Sequence, residues 1–303
     1  MSAAPATGRE GQTFGGTSRL VRYVNFVKLP HTVFALPFAL VGVVLASYHA
    51  PVTWPQLGWV VLAFTAARFA AMGFNRIADR HIDARNPRTA TREIPSGAMG
   101  VGEAWALVLT AVALFIAAAW RLNTLCFALS PVALAWVFFY SFTKRFTRWS
   151  HLVLGLGMGI APAGGYLAIT GQWSDPWWLL PALAAAVMTW GGGFDVLYAL
   201  QDVAFDREHG LFSVPATLGE RTAIRIARAL HVGTVLFLAA AAIGAARGWL
   251  FGAGVVTVAA LLVYEHSLVK ADDQSRLDAA FFMMNGVISI VFFGFVLAER
   301  VLA

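Results

Sequence analysis

The stretch Gln56-Leu-Gly-Trp-Val-Val-Leu-Ala-Phe-Thr-Ala-Ala-Arg68-Phe-Ala-Ala-Met-Gly-Phe-Asn75-Arg-Ile-Ala78 decides the fold of this chain. Its 23 residues carry only two charges, Arg68 and Arg76, and no proline. As a helix it would rise about 35 Å, enough to cross a hydrocarbon core of about 30 Å. Eight more stretches of the same character surround it, at 32–48, 102–119, 123–140, 152–170, 177–200, 229–246, 249–268 and 279–299. The composition agrees: of 303 residues 59% are apolar and 13% charged, too few charges to cover a soluble protein of this size. A mean hydropathy of +0.68 points the same way. The expected fold is all-α, a polytopic membrane bundle of nine transmembrane helices. One cysteine, Cys126, excludes a disulfide scaffold and a zinc–cysteine module.

The first span begins more than thirty residues in, lacks a small-residue cleavage site and leads into further spans, so it reads as a retained helix. Residues 1–18 read as a loose tail and 19–303 as a single membrane domain, with two pseudo-repeated halves at about 19–150 and 151–303. The hint of duplication is that Asp79/Asp83 and Asp202/Asp206 each end a span and lie 123 residues apart.

Basic residues sort the loops. With nine spans, one side collects Arg9, Arg19, Arg22 and Lys28, then Arg76, Arg80, Arg85, Arg88 and Arg92, then Lys144, Arg145 and Arg148. The same side continues with Arg207, Arg221, Arg225 and Arg228, then Lys270 and Arg276, while Arg121, Arg247 and Arg300 fall opposite. The positive-inside rule then expects a cytoplasmic N-terminus and an external C-terminus in the cytoplasmic (inner) membrane. Trp54, Trp59, Trp120, Trp173, Trp177, Trp178 and Trp249 gather at the external ends, as an interfacial belt does. The pI near 9.9 thus needs no nucleic acid, and nothing calls for an obligate protein partner. Membrane lipid is the expected surrounding.

Two acidic segments stand out. Asn75, Asp79 and Asp83 follow one another at i, i+4 and i+8 and share one helix face. Asp195, Asp202 and Asp206 return to within about 40° of one another on a second helix, with Tyr198 nearby. Both segments end spans on the cytoplasmic side and can face one another across one cavity. Solvated helix ends would explain any single carboxylate. Five on two faces, with Asp195 about 16 Å of helix deeper than Asp206, are harder to explain that way. Clustered carboxylates repel unless a cation holds them, and an Asn with several Asp oxygens is a hard donor set that suits Mg²⁺. Arg85, Arg88, Arg92, Lys144 and Arg145 crowd the same loops. They serve topology alone, or they form the basic fringe that a metal-bound diphosphate needs.

These residues carry a resemblance. Asn75-x-x-x-Asp79-x-x-x-Asp83, continued by Arg88-Thr89-x-x-Arg92-x-x-Pro95-Ser96-Gly97, resembles the first motif of the UbiA superfamily of intramembrane prenyltransferases. Asp195-x-x-Tyr198-x-x-x-Asp202-x-x-x-Asp206, followed by Gly210, Ser213 and Leu218-Gly219, resembles the second. Tyr140-x-x-x-Lys144-Arg145 and the His151-Leu152-Val153-Leu154-Gly155 run are similar to the 4-hydroxybenzoate polyprenyltransferase branch. The similarity spans roughly residues 20–300.

The resemblance implies nine helices around a central cavity, two Mg²⁺ ions, an allylic polyprenyl diphosphate donor and a hydroxylated aromatic acid as acceptor, in the biosynthesis of ubiquinone- or menaquinone-type quinones. It implies that Asn75, Asp79, Asp202 and Asp206 bind the metals, with Asp83 completing the first motif. Arg88, Arg92, Lys144 and Arg145 would grip the diphosphate. Asp195 and Tyr198 would be the deeper, catalytic pair, Asp195 orienting the phenol or accepting a proton. Arg68, seven residues before Asn75, needs an anion inside the membrane: the acceptor carboxylate, or a structural pair with an acid such as Asp195. The Gly191–Gly193 run reads as a packing face or a bend, and residues 203–228 as a loop over the cavity mouth or an interfacial helix.

One departure bears on the acceptor. Many hydroxybenzoate members carry Asp after the first-motif Asn, where this chain has Arg76. The stretch Asp83-Ala-Arg-Asn86-Pro87-Arg88-Thr89-Ala90 is more similar to a subgroup of the futalosine route to menaquinone, whose acceptor is a dihydroxynaphthoate. A reading of another class is a cation-coupled transporter, but the acids concentrate on one side and leave no polar route through the other half.

Overall fold

The structure is a computed structural model that describes residues 14, 18–268 and 284–302. Among the described residues there are only helices, turns and irregular connections. Short α1 (Arg19–Phe26) leads into α2 (Leu29–Ala46) and α3 (Trp54–Ala78), followed by the single turn α4 (Arg80–Asp83). Then come α5 (Val101–Leu122), α6 (Thr124–Thr143), α7 (Ser150–Thr170) and α8 (Leu179–Tyr198). A 3₁₀ turn (Ala199–Asp202), α9 (Val203–Glu208) and α10 (Val214–Leu218) precede α11 (Glu220–Gly244), α12 (Trp249–Leu268) and α13 (Asn285–Leu302). Among the described residues eight helices are long and apolar enough to cross a membrane. The expected first span is α2, whose described apolar part, Ala35–Ala46, is shorter. With α2 the bundle has the nine expected helices among the described residues, and the chain is an integral membrane protein.

Local chemistry sets the helix ends. Thr53 and Gln56 form a capping box at the start of α3, with Pro55 in its first turn. Asn123 accepts from the Cys126 N–H to start α6, and its Nδ2 donates to the Leu167 carbonyl, tying α6 to the end of α7. Arg145 Nη2 donates to the Ala78 carbonyl and so closes the end of α3.

Hydrocarbon offers no hydrophobic drive to press helices together, so close backbone contact at small residues does that work. A Cβ on Gly155 would lie 2.2 Å from the Met188 carbonyl oxygen, and one on Gly159 2.4 Å from that of Ala184. On the other face of α7, a Cβ on Gly165 would lie 2.1 Å from the Ala39 oxygen. Helix α7 is therefore wedged between α2 and α8 with its backbone touching both. Gly191 and Gly192 complete the α7–α8 contact, and Gly193 abuts His231 of α11, so the triple glycine is a packing face. An aromatic cluster of Phe38, Trp190, Phe194, Phe251 and Phe292 fills the space behind it.

Trp54, Trp120, Trp173, Trp177 and Trp249 are each more than half exposed, at the ends where a belt was expected. Trp59 lies beneath Arg121, and Trp178 packs on Gly244. Of the two readings of residues 203–228, a loop or an interfacial helix, the structure makes the stretch mostly helical. Residues 220–228 form the first turns of α11, because Arg221, Arg225 and Arg228 lie exposed on one face while Ala223, Ile224 and Ala227 are buried on the other. Apart from Phe14 and Ser18, the N-terminal tail lies outside the described residues, as do Lys270 and Arg276.

Because a Gly155 side chain would meet main chain rather than a movable neighbour, Gly155→Ala is expected to destabilise the bundle by about 1–3 kcal/mol. A lowered melting midpoint of the detergent-solubilised protein, beside an unchanged Gly58→Ala control in open space, is the check.

Candidate active site

Helices α3, α6 and α8 end at one end of the bundle, and each delivers part of the expected constellation there. Asn75, one turn before the end of α3, donates from Nδ2 to Asp79 Oδ2 at 3.1 Å. Asp79 ends α3 with non-helical dihedrals, so the chain breaks between the two acids of the first motif, and Asp83 closes α4. Beyond α6, Lys144 Nζ meets Asp79 Oδ2 at 2.7 Å and Arg145 meets Oδ1 at 3.1 Å. Asp79 is 3% exposed. Burial pushes its carboxyl above the usual carboxylate range, and the two cations pull it back only in part. Asp83 is likewise buried. Arg92 holds its Oδ1 at 2.8 Å, while its Oδ2 has no hydrogen-bond partner.

The second motif is held from across the fold. Arg88 forks onto Asp202, Nε to Oδ1 at 2.9 Å and Nη2 to Oδ2 at 2.5 Å. Asn86 Nδ2 donates to the same Oδ1 at 2.9 Å. Arg88 also donates from Nη1 to the Tyr198 hydroxyl at 3.2 Å and lies over that ring. Asp206 Oδ2 accepts from Ser213 Oγ at 2.8 Å, and Lys144 is close enough to interact with it electrostatically. The Phe212 N–H donates to the Lys144 carbonyl at 2.8 Å, which closes the ring of loops.

Deeper in the bundle, Asp195 Oδ2 takes a hydrogen bond of 2.7 Å from His151 Nδ1. Tyr140 of α6 lies within electrostatic reach of Asp195, Asp79, Arg68 and Arg92, so both motifs and the intramembrane arginine converge around it. Arg68 makes no ion pair among the described residues, and its Nε is buried without a partner. Of the two partners considered for Arg68, the pair with Asp195 is not formed, because His151 holds that carboxylate.

All twelve expected site residues therefore lie at this end of the bundle or just beneath it. They form cation–carboxylate pairs rather than one acidic cluster. Among the described residues no three His, Cys, Asp or Glu side chains converge closely enough to hold an ion unaided. A divalent ion here would have to draw part of its coordination from ligand oxygens, as Mg²⁺ does with phosphates. The half-satisfied Asp83, the over-buried Asp79 and the amide oxygen of Asn75 are hard oxygen donors that fit such an ion.

The sequence profile of the UbiA prenyltransferase family matches residues 35–287. The chain belongs to that family. A 4-hydroxybenzoate octaprenyltransferase of Citrobacter koseri is 32% identical over 250 residues, covering 79% of this chain and 83% of that protein. One from Edwardsiella ictaluri is 31% identical over 245 residues, covering 80% and 84%. The apo structure of a UbiA homolog from Aeropyrum pernix superposes with a TM-score of 0.81 at 33% identity, over 89% of this chain and 98% of that one. A UbiA homolog from Archaeoglobus fulgidus bound to GPP and Mg²⁺ shares the fold, with a TM-score of 0.70 at 19% identity over 92% and 99% of the chains.

As a UbiA-family prenyltransferase the chain is an enzyme, and the transporter reading gives way. Sequence reasoning gave no role to Asn86, His151, Tyr140 and Ser213. All four lie inside stretches quoted for the resemblance, but the partners of Asn86, His151 and Ser213 sit 116, 44 and 7 residues away. Helix periodicity carries no signal for the first two.

A lysine in place of Arg88 has one ammonium and cannot reach both Asp202 oxygens and the Tyr198 hydroxyl. Arg88→Lys is therefore expected to lower unfolding stability by about 1.5–3 kcal/mol, with Arg85→Lys, which has no such fork, as the reference. Thermal melts of both variants without added ligand decide it.

Proposed function

We propose that this enzyme transfers a polyprenyl group from an allylic polyprenyl diphosphate to the ring of a hydroxylated aromatic acid of the 4-hydroxybenzoate type. The observation that carries the reading is the pairing of Asp79, Asp83 and Asp202 with Lys144, Arg145, Arg92 and Arg88 around one site, above an intramembrane Arg68 that makes no ion pair among the described residues. The matching relatives named 4-hydroxybenzoate octaprenyltransferase support it.

In this reading Asn75, Asp79, Asp83, Asp202 and Asp206 hold Mg²⁺, two ions on the family's pattern, together with diphosphate oxygens. When bound, the metal supplies Lewis-acid stabilisation of the departing diphosphate. Lys144 and Arg145 exchange Asp79 for diphosphate oxygens, and Arg88 and Arg92 do the same from Asp202 and Asp83. Each cation thus goes from a carboxylate to the ligand, so no charge is left unpaired in the site. The allylic C–O bond breaks towards that basic rim, and the allylic carbon becomes positive.

The acceptor lies beneath, its carboxylate on Arg68 and its phenol towards Asp195 and Tyr198. The ring carbon ortho to the hydroxyl attacks the allylic cation, a C–C bond forms, and the ring proton passes to the released diphosphate. Asp195 holds the phenolic hydroxyl and stabilises the positive charge that develops on the ring, and Tyr198 keeps Arg88 in register. The prenyl chain runs out among the apolar faces of the helices into lipid. The positive-inside rule supports a cytoplasmic basic side and an external C-terminus, in the cytoplasmic membrane.

The Asn86-Pro87-Arg88 stretch supports a second acceptor, a dihydroxynaphthoate, because it builds the Asp202 grip and resembles the naphthoate-using subgroup. Both acceptors are hydroxylated aromatic acids and both satisfy Arg68 and Asp195.

The experiment is the purified enzyme with Mg²⁺, a polyprenyl diphosphate and each acceptor in turn, with products read by mass spectrometry. Prenylated acid is expected, abolished by chelation and reduced at least about 100-fold by Asp79→Ala or Asp202→Ala. Full activity in either variant, or no diphosphate release with any phenolic acid, would overturn the reading.

A further inference from the structure

His151 stands at the first turn of α7, 3% exposed and outside both acidic motifs. It reaches its place because α7 and α8 touch backbone to backbone. Gly155 lies one turn further along the same face, and a Cβ on Gly192 would sit only 3.4 Å from the His151 carbonyl oxygen. At that separation an imidazole from α7 and the short side chain of Asp195 on α8 meet at 2.7 Å.

The ring's protonation follows from its other contact. The Val214 backbone N–H points at His151 Nε2 at 3.3 Å, and an amide can only donate. Nε2 is therefore an acceptor without a proton. The neutral ring carries its proton on Nδ1 and donates it to Asp195 Oδ2. Among the described residues Asp195 Oδ1 takes no hydrogen bond, so His151 occupies one oxygen and leaves the other for a ligand.

Val214 begins α10, and its N–H is one of the first-turn donors that has no partner within a helix. The preceding residue, Ser213, caps α10 and donates to Asp206 Oδ2 at 2.8 Å. One imidazole thus links the deep carboxylate to the start of α10, whose capping Ser213 holds Asp206 of the upper site.

We propose that His151 is a positioning residue: it holds Asp195 in one rotamer, with Oδ1 turned to the acceptor hydroxyl, against the α10 segment that holds Asp206. This rests on the acceptor role given to Asp195 above. The imidazole itself does not touch substrate and transfers no proton.

Three variants of the full chain in lipid nanodiscs test it: His151→Leu, His151→Asn and His151→Gln. The Asn amide places an N–H near the position of Nδ1, and the Gln amide reaches only the position of Nε2. His151→Leu is expected to lower kcat/KM for the phenolic acid about 10–100-fold while the KM for the polyprenyl diphosphate stays within about twofold. His151→Asn is expected to recover to within about fivefold of wild type, and His151→Gln to stay near the Leu variant. Since His151 acts through Asp195, adding His151→Leu to Asp195→Asn should cost less than about twofold more.

Equal damage in the Asn and Leu variants, losses that multiply in the double variant, or parallel shifts in both KM values would overturn the role and mark His151 as structural. Should the Leu variant not accumulate, the Asn and Gln variants decide alone. If the wild type transfers no prenyl group to any hydroxylated aromatic acid, the proposed function fails and takes this inference with it. If it does and the variants behave alike, only the role of His151 fails.

Discussion

The forked contact between Arg88 and Asp202 is the constraint on which the rest of the site depends. It joins residues 114 apart in the chain, and with Asn86 it makes one carboxylate the meeting point of the two motif segments. A charge at the edge of hydrocarbon is costly unless it is paired, so a guanidinium fork is worth more here than on a soluble surface. Lys144 and Arg145 do for Asp79 what Arg88 does for Asp202, and Arg92 does it for Asp83. The site is thus charge-balanced by its own residues. A metal-bound diphosphate would be welcome there because it offers each carboxylate a cation and each cation an anion in exchange.

That charged end is held in place by uncharged packing beneath it. Glycines 155, 159 and 165 let α7 touch α8 and α2 at main-chain distance, and in lipid such contact is what fixes helix position. The same closeness sets the reach of side chains. Had α7 and α8 been spaced by larger residues, His151 could not meet Asp195, and Asp195 would stand without a described partner. Packing and polar chemistry are in this sense one design: small residues decide the spacing, and the spacing decides which short polar side chains pair.

Much of this was legible from the chain alone where the signal was local. Helix α12 begins and ends where the apolar run does, and α3 extends only two residues beyond the start expected for it. The twelve residues singled out for the site do gather at one end of the bundle. Residues 220–228 stayed open between loop and helix, and outside the span expected from 229, because three arginines obscured the buried face formed by Ala223, Ile224 and Ala227. Of the two partners considered for Arg68, the structure removes one for another reason: Asp195 is held by His151, 44 residues away in the chain.

Alone, the amino-acid sequence determined the helical membrane class, the order of the spans and the types of residue at the site, because these depend on hydropathy and on a period of about 3.6 residues along one helix. Only the tertiary structure decided which cation holds which carboxylate and which tautomer His151 adopts. It also decided that Arg68 stays without an ion pair among the described residues. Those outcomes depend on how closely different helices approach. That distance is set by backbone contact at glycines on several helices at once, and no single stretch of the chain contains it.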